Sequence, residues 1–273
     1  MLQSALAMTV MVAVVYGGLV AGSYAIQRKL IYFPDRTRPN PAEFGATHFE
    51  EILLQTDDGL ELLSWFVPPG EHGAPILVYL HGNAGHIGPR ADKLTPYLEA
   101  GYGALLVGYR GYGGNPGDPS EDGLYLDGDA AIGWLAARGH TADAVVLYGE
   151  SLGTGVAAEL AIRHSARALV LEAPFTSLPD AGARAYPFLP VRQLAWDQFN
   201  TIGKISRIDM PVMILHGEVD RVVPIDMGRA VFDAAQHPKQ SHFVPHFGHE
   251  ELVDFGAPDQ VLGWLNAIHE PAE

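Results

Sequence analysis

The sequence predicts an α/β fold in which helices flank a mostly parallel central sheet. Short apolar runs at 76–80, 168–171 and 212–215 are typical of strands covered on both faces, because they lack a polar alternation. Segments of helical length separate these runs, and such alternation favours right-handed crossovers between parallel strands. Ligands bind such sheets at the carboxyl ends of the strands, so functional residues are expected there.

Each element follows from local signals in the sequence. Glu51–Gln55 and Leu60–Val67 flank the turn Asp57-Asp58-Gly59 and predict a hairpin. Further strands are predicted at Ile76–Leu80, Ala104–Tyr109, Ala144–Tyr148, Ala168–Leu171, Val212–Leu215 and Ser241–Val244. Helices are predicted at Pro89–Ala100, Gly123–Arg138, Leu152–His164, Pro224–Ala235 and Gln260–His269. No internal repeat or low-complexity linker interrupts this pattern, which predicts one domain over residues 46–273.

Composition excludes several classes of protein. The 273 residues are 48% hydrophobic and 18% charged, which is a globular rather than a disordered composition. Lys and Arg number 17 against 32 Asp and Glu, and the resulting charge of -15 argues against a nucleic-acid partner. The chain has no cysteine, so disulfides, thiolate metal sites and a cysteine nucleophile are excluded.

The N-terminal segment carries no charged side chain from Met1 to Gln27. The apolar stretch Ala5–Ile26 would be about 33 Å long as a helix, enough to cross a hydrocarbon core of about 30 Å. Basic residues follow it at Arg28, Lys29, Arg36 and Arg38. We therefore expect a single-pass anchor over 1–27, a basic connector over 28–45 and a cytoplasmic domain beyond it.

Two other interpretations of this segment are weaker. A cleaved signal peptide could end at Ser23-Tyr24-Ala25, but the basic region that usually begins such a peptide is missing. A buried core helix usually shows one polar face, and this segment shows none. A retained membrane anchor is favoured over both.

The strand that ends at Tyr148 leads into Gly149-Glu150-Ser151-Leu152-Gly153 and then a helix. A serine exposed on a sharp strand-to-helix turn needs small neighbours, and glycine flanks Ser151 at the required positions. The N-terminus of the following helix offers free main-chain donors to a developing negative charge. Ser151 is therefore the predicted nucleophile.

A serine hydroxyl needs a base and a carboxylate that orients the base. Asp220 follows a later strand in a polar turn and is the favoured carboxylate, with Glu218 as the competitor. His249 lies in a glycine-hinged loop after the last strand and is the favoured base, with His246 second. These choices give the chain order Ser, Asp, His.

The histidines also allow a metal hypothesis from a different class of chemistry. His242, His246 and His249, with Glu250 beside them, could bind zinc. Pro245 and Gly248 interrupt any helix that would bring them together, and no HExxH pattern is present. We expect neither a metal nor a cofactor.

An oxyanion intermediate needs two preset main-chain donors. The residue after the nucleophile, Leu152, is expected to supply one. The second is expected from Asn83, in the loop His81-Gly82-Asn83-Ala84-Gly85 that follows the predicted strand Ile76–Leu80.

These motifs together resemble the α/β-hydrolase superfamily, and within it a small membrane-anchored group that carries HGNAG and GESLG. The resemblance runs from about Lys29 to Trp264 and includes Tyr32-Phe33-Pro34, the segment 109–113 and the segment 172–177. It implies hydrolysis of carboxylic esters or thioesters by a Ser-His-Asp triad. His86 is a departure, because relatives of this group often carry a second asparagine there.

A segment rich in proline and aromatic residues, 175–208, separates two predicted strands and is expected to form a lid. An acyl pocket would be lined by its apolar residues Tyr186, Phe188, Leu189, Trp196 and Phe199. The alternative, equally open, is that these residues only cover the sheet. An apolar lid on a tethered enzyme favours a small acyl ester or lipid-like substrate. An acyl thioesterase of the depalmitoylase type, a peptidase and a non-catalytic tethered scaffold are the alternatives.

Overall fold

The computed structural model describes residues 2–71, 73–249 and 256–268. Strands within these residues are β1 (Phe33–Pro34), β2 (Glu50–Gln55), β3 (Glu61–Val67), β4 (Ile76–Leu80), β5 (Ala84–Gly85), β6 (Gly103–Leu106), β7 (Val145–Glu150), β8 (Ala168–Glu172), β9 (Val212–Gly217) and β10 (Lys239–Val244). The α-helices are α1 (Leu2–Ile31), α2 (Ala91–Glu99), α3 (Glu121–Ala136), α4 (Leu152–Arg163), α5 (Leu178–Ala185), α6 (Val191–Leu194), α7 (Ile202–Ile205), α8 (Ile225–Ala234) and α9 (Ala257–Ala267). Short 3-10 helices lie at Pro41–Phe44, Gly88–Arg90 and Ala142–Ala144.

Within the described residues, one eight-stranded sheet forms the centre of the molecule, in the order β10-β9-β8-β7-β4-β6-β3-β2. The hairpin partners β2 and β3 are antiparallel, and β3 also pairs antiparallel with β6. All other pairings in this sheet are parallel. The predicted mostly parallel sheet with flanking helices is therefore confirmed.

Each face of the sheet has its own apolar core. Along β4, Ile76 and Val78 belong to the core beneath α3, α4 and α8, while Leu77 and Tyr79 belong to the core beneath α2 and α9. All five β4 residues are buried, which explains why this strand shows no polar alternation in the sequence.

One strand is shorter than the sequence suggests. The strand predicted to run to Tyr109 ends at Leu106. Beyond it the main-chain N–H of Gly108 donates to Ser64 Oγ at 2.9 Å instead of continuing the ladder. The predicted helix at the C-terminus begins earlier, at Ala257, and its expected last residue, His269, lies outside the described residues.

The N-terminal helix α1 extends to Ile31, past the expected end of the apolar span at Gln27. Among the described residues it is the one helix long and apolar enough to cross a membrane. Its residues are exposed up to Leu19, and further along Val20, Ser23, Gln27 and Ile31 are half-buried. Their spacing of three and four places them on one face, so α1 packs against the rest of the protein through one face of its C-terminal part.

Candidate active site

Ser151 occupies a strained turn between the last residue of β7 and the first residue of α4. Its φ of 51° and ψ of -115° are a conformation that side chains with a Cβ rarely adopt. The main-chain N–H of Ser151 donates to the carbonyl of Glu172 at 2.8 Å, which ties the turn to the neighbouring strand β8. The hydroxyl is thereby presented at the carboxyl end of the sheet.

The flanking glycines are required by close backbone contacts. A Cβ on Gly149 would lie 2.5 Å from the carbonyl oxygen of Gly153. A Cβ on Gly153 would lie 1.9 Å from the carbonyl oxygen of Leu80 in β4. Both distances are far below contact, so the Gly-x-Ser-x-Gly pattern has a steric cause in this fold.

The structure brings Ser151, His249 and Asp220 together. The Nε2 atom of His249 lies 2.9 Å from Ser151 Oγ, and its Nδ1 atom lies 2.6 Å from Asp220 Oδ2. Because an ionised carboxylate can only accept, Nδ1 carries the proton and Nε2 is left to accept the serine proton. This is the arrangement in which a histidine can act as a base toward the serine.

Asp220 is held in place by the turn that it begins. Its Oδ1 accepts the main-chain N–H groups of Val222 and Val223 at 2.8 and 2.9 Å, and its side chain has no exposed surface. Burial alone would raise the pKa of Asp220, but hydrogen bonds from His216 and His249 outweigh it and hold the pKa well below the usual 3.8. The carboxyl group is therefore ionised at neutral pH.

The pKa of His249 is raised above its usual 6.5. Burial opposes the charged imidazole, but the hydrogen bond and the negative charge of Asp220 outweigh it, and the charges of Glu150 and Glu172 add to the effect. The site therefore stabilises the imidazolium that forms when the serine proton is transferred.

The competing residues from the sequence lie elsewhere. Glu218 pairs with Arg229 at 2.8 Å on the surface. His246 adopts a left-handed backbone with a φ of 69° in the turn after β10. Among the described residues no group of three or more His, Cys, Asp or Glu side chains is placed to hold a metal. Glu250, part of the zinc hypothesis, lies outside the described residues.

Asn83 and Leu152 line the same cavity as Ser151. In the described part of the chain neither main-chain N–H donates to an acceptor. Two hydrogen bonds hold Asn83 in place. Its carbonyl accepts the Phe33 N–H at 2.9 Å, and its side-chain amide donates to the carbonyl of Ile31 at 2.8 Å. Both N–H groups are thus without an acceptor among the described residues, as donors to a developing negative charge would need to be.

A cavity of about 320 Å³ opens above Ser151. Its walls come from the C-terminal part of α1, from α5 and α6, and from Val222 and Val223. Of the five lid residues that the sequence predicts to line an acyl pocket, Tyr186 and Leu189 line it.

Three other residues of the predicted lid are not part of that lining. Phe188 and Trp196 are about half exposed on the outer surface of the same segment. Phe199 is fully buried, because it packs against Tyr125 and fills the space above Gly155 in α4. The expectation that Phe188, Trp196 and Phe199 line the pocket is therefore wrong. Phe199 instead holds the lid segment against α4.

The sequence did not predict a buried charged cluster that lies next to Ser151. Lys93 lies 3.0 Å from Glu150 and 3.3 Å from Glu172, and Arg90 lies 3.5 Å from Glu150. The hydroxyl groups of Tyr79 and Tyr148 donate hydrogen bonds to the carboxylates of Glu150 and Glu172, respectively. Burial would raise the pKa of Glu150, but the charges of Lys93 and Arg90 outweigh it and lower the pKa to about 2. The sequence feature that could have predicted this cluster is an acidic residue at the last position of each of two buried strands, Glu150 in β7 and Glu172 in β8.

Fold and site together define an α/β hydrolase, and comparisons with known proteins agree. A family model described as "Serine aminopeptidase, S33" matches residues 72–200. An uncharacterized protein of Mycobacterium tuberculosis strain H37Rv is 39% identical over 92% of this chain and 90% of its own. The human "Alpha/beta hydrolase domain-containing protein 17B" is 33% identical over 76% of this chain and 71% of its own. The "Lysophosphatidylserine lipase ABHD12" of Danio rerio is 31% identical, over 79% and 68%.

Solved structures show the same fold. An esterase of Pyrococcus furiosus, Pf2001, has a TM-score of 0.68 at 17% identity and covers 87% of this chain and 97% of its own. The esterase RhEst1 from Rhodococcus has a TM-score of 0.64 at 20% identity, over 81% and 99%. The chain therefore belongs to the α/β-hydrolase family of serine hydrolases.

Proposed function

We propose that this protein hydrolyses carboxylic esters of apolar acyl groups, with Ser151 as the nucleophile. The observation that carries the proposal is His249, which bridges Ser151 Oγ and Asp220 beside an apolar cavity. A hydroxyl, a base and a buried carboxylate in hydrogen-bond contact are the parts that acyl transfer through a serine requires.

The reaction proceeds in two balanced steps. Ser151 Oγ attacks the ester carbonyl while His249 Nε2 takes its proton, and the main-chain N–H groups of Asn83 and Leu152 hold the oxyanion. Collapse breaks the bond to the leaving alkoxide, which receives the proton from His249, and an acyl-enzyme remains. Water then attacks the acyl-enzyme with His249 again as the base, which releases a carboxylic acid and restores the Ser151 hydroxyl.

The cavity favours an acyl group over a peptide. The described residues that line it include no Asp, Glu, Lys or Arg. An aminopeptidase must hold a charged α-amino group, and leaving such a charge without a partner in an apolar cavity is costly. The described lining therefore favours an acyl ester over a peptide as the substrate.

The test is hydrolysis of p-nitrophenyl esters by the purified full-length chain. Replacing Ser151 with Ala should abolish turnover and also abolish labelling by a fluorophosphonate. Ser206→Ala is the matched control, because Ser206 is exposed at the end of α7. Full activity in the Ser151 variant would refute the proposal. Matched oxygen esters and thioesters of equal chain length will decide between an esterase and an acyl thioesterase.

We further propose that α1 is a single-pass membrane anchor with the hydrolase domain on the cytoplasmic side. Its apolar length supports the span, and Arg28 and Lys29 in its last turn support the orientation. Membrane fractionation after carbonate extraction, and protease protection of the domain in spheroplasts, test the two statements separately.

A further inference from the structure

The C-terminal part of α1 forms a wall of the catalytic cavity. Ser23, Tyr24, Gln27, Leu30 and Ile31 all line it, and the next lining residues along the chain are Asn83 and the nucleophile. The opposite wall comes from α5 and α6. The same helix that carries the apolar span therefore also borders the space where an acyl chain would lie.

Specific contacts fix this wall. Asp197, which is buried, accepts two hydrogen bonds from the Arg28 guanidinium at 3.0 and 3.1 Å and a third from the Tyr32 hydroxyl at 3.0 Å. The side chain of Gln27 accepts the main-chain N–H of Trp196 at 2.7 Å and donates to the carbonyl of Leu194 at 3.3 Å. Packing of α1 against the lid segment is thus polar and directional at its C-terminal end.

Further along α1, the contact reaches into the apolar span. The Tyr16 hydroxyl donates to the carbonyl of Phe188 at 2.8 Å. Tyr16 precedes Arg28 by twelve residues, which places it about 18 Å further along the helix. The tip of the lid segment therefore lies beside the part of α1 that would be in the bilayer.

The outer surface of the lid segment fits that depth. Phe188 and Trp196 are 57% and 45% exposed, and the Trp196 ring packs edge-on against Tyr24 with centroids 5.1 Å apart. Exposed aromatic side chains of this kind are enriched where a protein meets the lipid headgroups. With α1 across the bilayer, Trp196 beside Tyr24 lies near the headgroups, the tip of the lid segment at Phe188 lies deeper beside Tyr16, and the cavity behind them adjoins the acyl-chain region.

We propose that α1 is part of the substrate site, and that the acyl chain of a membrane lipid ester lies in the cavity between α1 and the helices α5 and α6. The inference rests on the proposed hydrolase function and adds the lipid class of the substrate and the surface that holds it. The chain would pass Ser23 and Gln27 on one side and Ala181 and Gly182 on the other, with its ester carbonyl at Ser151.

The test places a bulky side chain in the α1 wall. Full-length Ser23→Trp, in phosphatidylcholine vesicles, should lower the ratio of kcat/KM for p-nitrophenyl laurate to that for p-nitrophenyl acetate at least tenfold, which is about 1.4 kcal/mol. Only the long chain reaches this part of the cavity. Ala21→Trp is the control, because Ala21 is exposed on α1 and does not line the cavity. An unchanged ratio in Ser23→Trp, or an equal fall in both variants, would overturn the proposal.

A second measurement does not depend on turnover. A diazirine analogue of lauric acid in the same vesicles should label α1 in a manner that unlabelled lauric acid competes away, and Ser23→Trp should lose this competable labelling. Labelling that lauric acid does not reduce would mean that the probe only dissolves around α1, and would refute the site. If acyl-chain binding is found while Ser151→Ala still hydrolyses esters, the proposed function fails and the binding surface stands.

Discussion

Replacing Asp220 with Asn tests the tautomer on which the proposed catalysis depends. The amide oxygen of the new side chain would keep the main-chain N–H groups of Val222 and Val223, which now donate to Oδ1 at 2.8 and 2.9 Å. The amide nitrogen would then face His249 Nδ1 in place of the carboxylate oxygen at 2.6 Å. Since that nitrogen can only donate, His249 would carry its proton on Nε2.

A proton on Nε2 removes the acceptor for the Ser151 hydroxyl at 2.9 Å. We expect kcat to fall by about 10⁴-fold, or about 5.4 kcal/mol in the activation free energy, because both the base and the charge that stabilises the imidazolium are lost. The fold should persist, since the two main-chain contacts of the turn are retained.

The assay is kcat for p-nitrophenyl acetate together with the thermal unfolding midpoint, compared with Asp226→Asn. Asp226 on α8 makes an exposed ion pair with Arg184 on α5, so its replacement controls for the loss of one acidic charge. Activity of the Asp220 variant within tenfold of the original, in a folded protein, would refute the assignment of Asp220 as the orienting carboxylate.

Three further predictions follow from the geometry. Gly153→Ala should lower the free energy of unfolding by about 1–3 kcal/mol and remove activity, because its Cβ would overlap a main-chain oxygen of β4. Gly133→Ala is the control, since the space around Gly133 is open, and chemical denaturation should show it to be neutral or stabilising. Lys93→Met should lower the free energy of unfolding in urea by about 3–5 kcal/mol, because two buried carboxylates lose a shared cationic partner. Arg36→Met, which removes an exposed ion pair, should lower it by less than about 1 kcal/mol. The kcat/KM for p-nitrophenyl acetate should fall on acidification with a midpoint above pH 6.5, because the pKa of His249 is raised and only its neutral form accepts a proton; a midpoint below 6.5 would contradict this.

The sheet was predictable because its central strands β4, β7, β8 and β9 are buried on both faces and therefore appear as mainly apolar runs. The nucleophile turn was predictable for a related reason, since the close approach of Gly153 to β4 permits no side chain and leaves a visible pattern. Asp220 and His249 could be placed by chain order and by the loops that follow β9 and β10. Sequence could not exclude Glu218, whose pairing with Arg229 on α8 depends on the tertiary fold.

The lid segment was only partly predictable, because apolar residue types do not specify which direction a side chain faces. Tyr186 turns toward the cavity and Phe199 turns into the core, although both are aromatic residues of the same segment. The difference arises from Gly155, which leaves a space in α4 that the Phe199 ring fills. Such a long-range pairing of a small residue with a large one leaves no local periodicity to read.

Arg28, one of the basic residues after the apolar span, has a second role that the sequence does not suggest. A group of basic residues next to a membrane helix ordinarily attracts anionic lipid headgroups. Here Arg28 is engaged by buried Asp197, Arg36 by Asp118 and Arg38 by Glu51. Arg36 and Arg38 lie beyond α1 and their side chains are mostly exposed, so of these three pairs it is Arg28 with Asp197 that joins α1 to the hydrolase domain. In the proposed membrane geometry, the depth of the cavity relative to the bilayer is set by the apolar span and the exposed aromatic rings, and the Arg28 pair with Asp197 keeps the α1 wall aligned with Ser151.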